Sequence, residues 1–127
     1  MILTLDNKEC ATLTLHMSIM RKSMRNLLKK KYPGEKNEFL ESYDYIHEKA
    51  KKGLEASEHF NVTHFTDHYN IRDLKVLTEF LRAYIEQINN LGVEIKGEDK
   101  EHVEVMADLL KKCSKVIQDV EENQTQN

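Results

Sequence analysis

Three histidines are the side chains of this sequence best suited to metal chemistry. His59, His64 and His68 fall within ten residues, and the last two are four residues apart. On a helix, that spacing places two imidazoles on one face, where both can bind one zinc or iron ion. The segment also alternates as a strand does, which would put His64 and His68 on one face but further apart. We therefore weigh a histidine metal site against ordinary solvated histidines, the more common arrangement.

Motifs typical of enzymes are missing from the sequence. We find no Glu-x-x-His or His-Glu-x-x-His pattern, no Gly-x-Ser-x-Gly motif and no Cys/His pair at a recognisable spacing. With only four glycines, the chain has no phosphate-binding loop and no dinucleotide fingerprint. Carboxylates are plentiful, but they lie on the outer faces of predicted helices, where ion pairing explains them. We expect no enzyme activity and no cofactor.

A basic run is the second feature with binding chemistry. Six positive charges fall within eleven residues, with no acid between them: Arg21, Lys22, Arg25, Lys29, Lys30 and Lys31. Positive charge stabilises a helix C-terminus, so the run can be a solvated helix face without a binding role. It could equally dock onto phosphate or an acidic protein surface. No aromatic residues interleave the charges, which argues against base stacking.

The apolar residues of the same segment predict a helix with more than one buried side. Cys10, Leu13, Met17, Met20, Met24 and Leu27 recur at spacings of three and four, and Leu15, Ile19 and Leu28 widen the stripe. Methionines usually fill cores, but adaptable binding surfaces also use them. We therefore predict a partner surface on this helix. Its residues are Leu15, Ile19, Met20 and Met24, with Arg21, Lys22, Arg25, Lys29 and Lys30 as a charged rim.

A possible helix-turn-helix supplies the alternative function. In residues 65–71, bulky, small, aromatic and aliphatic residues occur in a workable order around Asn70, and a helix follows. On this hypothesis residues 62–82 bind DNA, with Arg72, Lys75, Thr78 and Arg82 pointing outward. The first helix would be short and rich in β-favouring residues. The default interpretation is an ordinary helix N-terminus.

Periodicity along the chain predicts an all-α fold. We expect four helices at about 7–31, 37–58, 71–91 and 98–121, with a frayed tail at 122–127. Asp6 with Glu9 and Asn70 with Asp73 predict helix N-caps, and Pro33-Gly34 ends the first helix. Gly53 would weaken the second helix by about 1 kcal/mol relative to alanine.

Matched helix lengths and short connections favour an antiparallel up-down-up-down four-helix bundle. In that topology the start of the first helix and the connection between the second and third helices lie at one end. Residues 2–5 could therefore pair with residues 62–66 as a short two-stranded ribbon. We expect one domain that spans residues 1–127.

Composition excludes several classes of protein. The net charge of −3 gives no global attraction to nucleic acid or to anionic membranes. We expect no signal peptide, because residues 1–6 lack a basic start and a long apolar segment. The sequence has no apolar stretch of membrane-spanning length, and two cysteines are too few for a disulfide framework. We expect a cytoplasmic protein with reduced thiols at Cys10 and Cys113. The Lys/Asn-rich, Gly/Pro-poor composition is compatible with a small bacterial or mobile-element protein.

The leading functional prediction is a non-enzymatic regulatory protein that binds another macromolecule through a helix face. A protein partner, a homodimer or both are the expected assemblies, and no membrane is expected. DNA binding through residues 62–82 and metal binding through the three clustered histidines are the alternatives.

Overall fold

The computed structural model describes residues 1–125, apart from the side chain of Thr125. It is mostly helical and contains one small sheet. The elements in chain order are β1 (Ile2–Asp6), α1 (Asn7–Ile19), α2 (Arg21–Lys31), α3 (Lys36–Phe60), β2 (His64–His68), α4 (Ile71–Asn89) and α5 (Gly97–Thr125).

The number of helices differs from the prediction. Residues 7–31, predicted as one helix, form α1 and α2, so the specific four-helix bundle is not confirmed. α1 packs against α3 and α5, α4 packs against α3 and α5, and α2 extends along α3. α5 continues to Thr125, so residues 122–125 are helical where we predicted a frayed tail. The last two residues of that predicted tail lie outside the described part of the chain.

The division between α1 and α2 has a structural cause at Met20. Met20 N–H donates to the His16 carbonyl and Met24 N–H to the Met20 carbonyl, so helical spacing continues on both sides. The Met17 carbonyl, however, accepts a hydrogen bond from the buried Tyr43 hydroxyl of α3. A side chain that takes a helical carbonyl interrupts the regular ladder of backbone hydrogen bonds. A residue 26 positions away thus divides the helix, which the local sequence pattern does not reveal.

The predicted ribbon is present, with its second strand two residues later than expected. β1 and β2 pair antiparallel, with Leu3 opposite Asp67 and Leu5 opposite Phe65. Leu3 and Leu5 are buried, while the Asp67 carboxylate pairs with Lys49 of α3 at 3.3 Å. These contacts hold the inner face of the ribbon against the helices.

Capping residues start α1 and α4 as the sequence predicts. The Asp6 carboxylate accepts from Glu9 N–H at 2.7 Å, and the Glu9 carboxylate accepts from Asp6 N–H at 2.9 Å. Asn70 and Asp73 form the same reciprocal pair. Lys112 of α5 donates to Glu9 Oε1 at 3.0 Å and to the Thr4 carbonyl at 2.6 Å. One lysine therefore ties α5 to both β1 and α1.

The helices enclose one apolar core. Met17, Leu77 and Leu109 are fully buried in the same cluster, as the periodicity predicts. All five helices contribute to the largest fully buried side chains: Leu13, Met17, Met24, Leu28, Tyr43, Ile46, Leu74, Leu77, Phe80, Leu81, Met106 and Leu109.

Candidate binding surface

The strongest candidate site is the solvent side of the first two helices, which we call the outer face of α1–α2. It consists of Leu15, Ile19, Lys22, Arg25, Lys29 and Lys30. Leu15 is 46% exposed and Ile19 is 67% exposed, although both are large aliphatic side chains. The other four residues are exposed cations. Both predicted components of the surface, apolar contact residues and a charged rim, are therefore accessible.

Counted at ideal helical spacing, four of these six residues fall on one stripe. At 3.6 residues per turn, Leu15, Ile19, Lys22 and Lys29 fall within about 80° of the helix circumference. Backbone hydrogen bonds of helical spacing lie on both sides of Met20, although the ψ of 3° at this residue departs from the helical value. Ile19 is three residues before Lys22 in the chain, so the aliphatic part of the outer face is followed at once by its first cation.

Two of the six positive charges on α2 are paired with carboxylates of other helices. Arg21 binds the Asp44 carboxylate of α3 through two hydrogen bonds of 2.9 and 2.8 Å, and Lys31 pairs with Glu79 of α4. Among the residues that the structure describes, no carboxylate oxygen lies within 4.0 Å of a charged side-chain nitrogen of the four cations of the outer face. The predicted rim residue Arg21 therefore forms an ion pair within the protein. The other four rim residues, Lys22, Arg25, Lys29 and Lys30, form no ion pair with a described residue.

The two methionines predicted for the partner surface belong to the core instead. Met20 is 7% exposed and Met24 is 1% exposed. They line the floor of a shallow groove where α2 meets α4, together with Leu27 and Ala83. Met24 of α2 and Met20, which lies between α1 and α2, are therefore covered by neighbouring helices, whereas Leu15 and Ile19 are exposed.

The residues predicted to bind DNA do not form a helix-turn-helix. Residues 64–68 are the strand β2, so the first helix of that motif is missing. Thr78, predicted to point outward, is buried and donates its hydroxyl hydrogen to the Leu74 carbonyl. Arg72, Lys75 and Arg82 line a cleft between α4 and α5, and Thr78 forms part of its floor.

The three clustered histidines do not converge. His59 lies in the last turn of α3, while His64 and His68 are exposed at opposite ends of β2, about 13 Å apart at strand spacing. In residues 1–125, no group of three or more His, Cys, Asp or Glu side chains is arranged to hold a metal ion. The predicted histidine metal site is therefore not formed by these residues.

A different histidine pair joins two helices. His16 Nε2 of α1 lies 3.0 Å from His102 Nδ1 of α5, and the His16 ring packs 4.6 Å from the Tyr84 ring of α4. Burial and the neighbouring His102 lower the pKa of His16 below its ordinary value. Sequence reasoning missed this pair because its members are 86 residues apart. Heptad-like periodicity places both histidines next to core positions, but it does not bring them together.

Protonation of the interior histidines is expected to destabilise the fold at mildly acidic pH. Burial lowers the pKa of both His16 and His47, so the unfolded chain binds more protons than the folded one just below pH 6.5. The stability that comes from keeping both imidazoles uncharged is fully present above pH 6.5. It is lost as the pH falls from 6.5 toward the lowered pKa values of the folded protein. Urea unfolding should therefore give a lower free energy of unfolding at pH 5 than at pH 7.

The histidine variants identify the source of that pH dependence. His16→Gln should show a smaller loss between pH 7 and pH 5, whereas His59→Gln, which removes an exposed histidine, should behave as the wild type does. A wild-type stability that is equal or higher at pH 5 would contradict this explanation.

The two thiols are buried in the interior. Burial raises the pKa of Cys10 and of Cys113 to about 12. Both groups therefore remain protonated near neutral pH, where a thiol is a poor nucleophile and a poor metal ligand. They contribute packing rather than chemistry.

Comparison with known proteins gives no family for this chain. It matches no protein-family model, no curated protein and no solved structure. Within residues 1–125, no helix has both the length and the apolar character required to cross a membrane.

Proposed function

We propose that this chain is a non-enzymatic interaction protein that binds an acidic protein partner through the outer face of α1–α2. The observation that carries the proposal is the exposure of Leu15 and Ile19 next to four cations that have no ion pair among the described residues. When a partner covers an exposed aliphatic side chain, the removal of apolar surface from water stabilises the complex. The adjacent cations favour a partner that carries acidic side chains around its apolar surface.

The partner that fits this stripe is an amphipathic acidic helix. Its apolar side would cover Leu15 and Ile19, while Asp and Glu side chains at its edges would pair with Lys22, Arg25 and Lys29. Apolar anchors supply most of the affinity at such interfaces, and rim charges mainly increase the association rate and the specificity. We expect binding to weaken as salt concentration rises.

Charge argues against a homodimer through this face. In a two-fold symmetric dimer the same patch meets itself, which would bring two sets of uncompensated cations together. A partner with the opposite charge avoids that repulsion. A heterologous complex is therefore favoured at this surface, with the chain regulating or sequestering the protein it binds.

The proposal also includes a cytoplasmic location, which suits two reduced thiols that form no disulfide. We further propose that α1 and α2 together act as one member of a four-helix arrangement with α3, α4 and α5. The packing of α1 on α3 and α5 supports this, and it would make the outer face a rigid platform.

Charge reversal on the outer face tests the choice of partner. Beads carrying the Lys22→Glu/Lys29→Glu variant should retain at least tenfold less of the acidic protein that wild-type beads capture from native lysate. Lys111→Glu/Lys115→Glu is the matched control, because it changes the net charge equally at two exposed lysines of α5. The control should retain the wild-type amount, as measured by mass spectrometry of the eluted proteins.

Three results would count against the proposal. Equal loss in both double variants would indicate nonspecific charge attraction. Wild-type beads that capture no acidic protein, or that instead retain nucleic acid or anionic phospholipid vesicles, would exclude the proposed partner class.

A further inference from the structure

A cleft on another side of the molecule has the size of a small-molecule site. It is bounded by the connection between α2 and α3, by α4 and by the C-terminal half of α5, and its volume is about 630 Å³. Small-molecule sites commonly occupy about 300–1,000 Å³. None of its lining residues belongs to the outer face of α1–α2, so it is independent of the proposed function.

Three cations of α4 line this cleft. Arg72, Lys75 and Arg82 follow one another at intervals of three and seven residues, which places them on one side of the helix. Throughout the described part of the chain, no carboxylate oxygen lies within 4.0 Å of a charged side-chain nitrogen of any of them. Arg72 Nε donates to Ser42 Oγ at 3.2 Å. That bond orients the guanidinium and leaves its two terminal nitrogens to donate to a ligand.

Apolar side chains line the cleft beside these cations. The Tyr32 ring stacks on the Phe39 ring, with centroids 3.9 Å apart and planes 10° apart. Ile71 and Ile117 contribute aliphatic surface. Charged groups next to apolar side chains can bind a small organic ligand that has both an apolar body and a charged group.

Acidic residues on the lining limit the charge that a ligand can carry. Glu35, Glu79 and Glu121 also line the cleft, and Glu79 is held by Lys31. A polyanion that followed α4 would place several phosphates near these carboxylates, which is repulsive. A ligand with one anionic group can contact the cations and leave its uncharged body beside the rings.

We propose that this cleft binds a small amphiphilic anion, a planar apolar molecule that carries a single anionic group, either a carboxylate or a phosphate monoester. The anionic group binds the cations of α4, and the planar body packs beside Tyr32 and Ile71. The position of these cations in a cleft between α5 and the α2–α3 connection favours such a ligand over duplex DNA, whose grooves are usually entered by a protruding recognition element.

Calorimetric titration with four probes tests this assignment. 2-Naphthoate or 2-naphthyl phosphate should bind with a Kd of about 1 mM or tighter, and comparing the two identifies the preferred anionic group. Neutral 2-naphthalenemethanol and inorganic phosphate should each bind at least tenfold more weakly, because each lacks half of the recognised chemistry. Binding of neither aromatic anion at millimolar concentration would overturn the proposal.

Variants localise the binding to the cleft. Lys75→Ala and Arg82→Ala, both exposed positions on α4, should each weaken the aromatic anion about tenfold, consistent with loss of a charge-assisted contact. Arg25→Ala removes an exposed cation from the outer face and should have no effect. Equal affinities in all three variants would place the binding elsewhere. Tighter binding of duplex DNA than of naphthoate, with the same dependence on Arg82, would replace the small-ligand assignment with nucleic acid.

Discussion

Replacing Gly53 with alanine is expected to lower the free energy of unfolding by about 2 kcal/mol. A β-carbon at this position of α3 would lie 2.6 Å from Cys10 Sγ and 3.2 Å from two atoms of the Phe65 ring. Cys10 is fully buried, so its sulfur cannot move into solvent. Overpacking of this kind costs up to about 3 kcal/mol, and the better helix propensity of alanine offsets about 1 kcal/mol. Urea unfolding measures the difference.

Whether Gly53→Ala raises or lowers the free energy of unfolding shows which is larger, the effect of helix propensity or the effect of tertiary packing. From the sequence alone, glycine inside α3 is a weak point that alanine should repair. In the structure, Gly53 is what allows α3 to approach Cys10 of α1 and Phe65 of β2. A gain of stability in Gly53→Ala would therefore contradict this close approach.

A double-mutant cycle identifies the contact responsible. In the Cys10→Ala background the sulfur is gone, so Gly53→Ala should cost at least about 1 kcal/mol less than in the wild type. Gly34→Ala is the matched control, because a β-carbon there meets nothing within 4 Å, and its effect should stay within about 0.5 kcal/mol. The same cost for Gly53→Ala in both backgrounds would show that the clash does not involve Cys10.

Local signals in the sequence identified most of the secondary structure. Helix N-caps at Asp6 and Asn70 depend on side chains only three residues apart, and the structure forms both. The ribbon was also predicted, from the strand-like alternation near residues 62–66 and from the expectation that both segments lie at the same end of the bundle. Its register was not, because α3 continues to Phe60 and ends at Asn61, whose φ of 55° lies in the left-handed region. That extension moves the second strand from 62–66 to 64–68.

Individual contacts between side chains that are distant in the chain could not be predicted. The break at Met20 arises because the Tyr43 hydroxyl takes the Met17 carbonyl, and periodicity within residues 7–31 carries no trace of it. The same limit applies to the cleft. Tyr32 and Arg72 are 40 residues apart in the chain, so their shared lining emerges only from the packing of α4 beside the α2–α3 connection.

The candidate binding surface was predicted in part. Spacing predicted a first helix with more than one buried side, but two of the apolar residues that widen the stripe are not buried in the structure. Leu15 and Ile19 are exposed, whereas Met20 and Met24 face the other helices. The orientation of the helix relative to α3 decides this, and the sequence of one helix does not contain that orientation.

Substitution of Ile19 with aspartate should produce the largest loss of binding of any single change on the outer face. Ile19 is the most exposed aliphatic residue of the proposed surface, and a partner that covers it would have to bury a carboxylate next to its own acidic residues. We expect affinity to fall at least about 100-fold, or about 2.7 kcal/mol. The fold should be unaffected, because the side chain is already in solvent.

The most direct test of the outer face as a binding site is the affinity of the captured acidic protein for Ile19→Asp compared with Val93→Asp. Val93 is 66% exposed, nearly the same as Ile19 at 67%, but it lies in the connection between α4 and α5. Titration calorimetry should show wild-type affinity for Val93→Asp and a loss of about 100-fold for Ile19→Asp. Equal affinity of the two variants for the acidic protein would contradict the assignment of the outer face of α1–α2 as the binding surface.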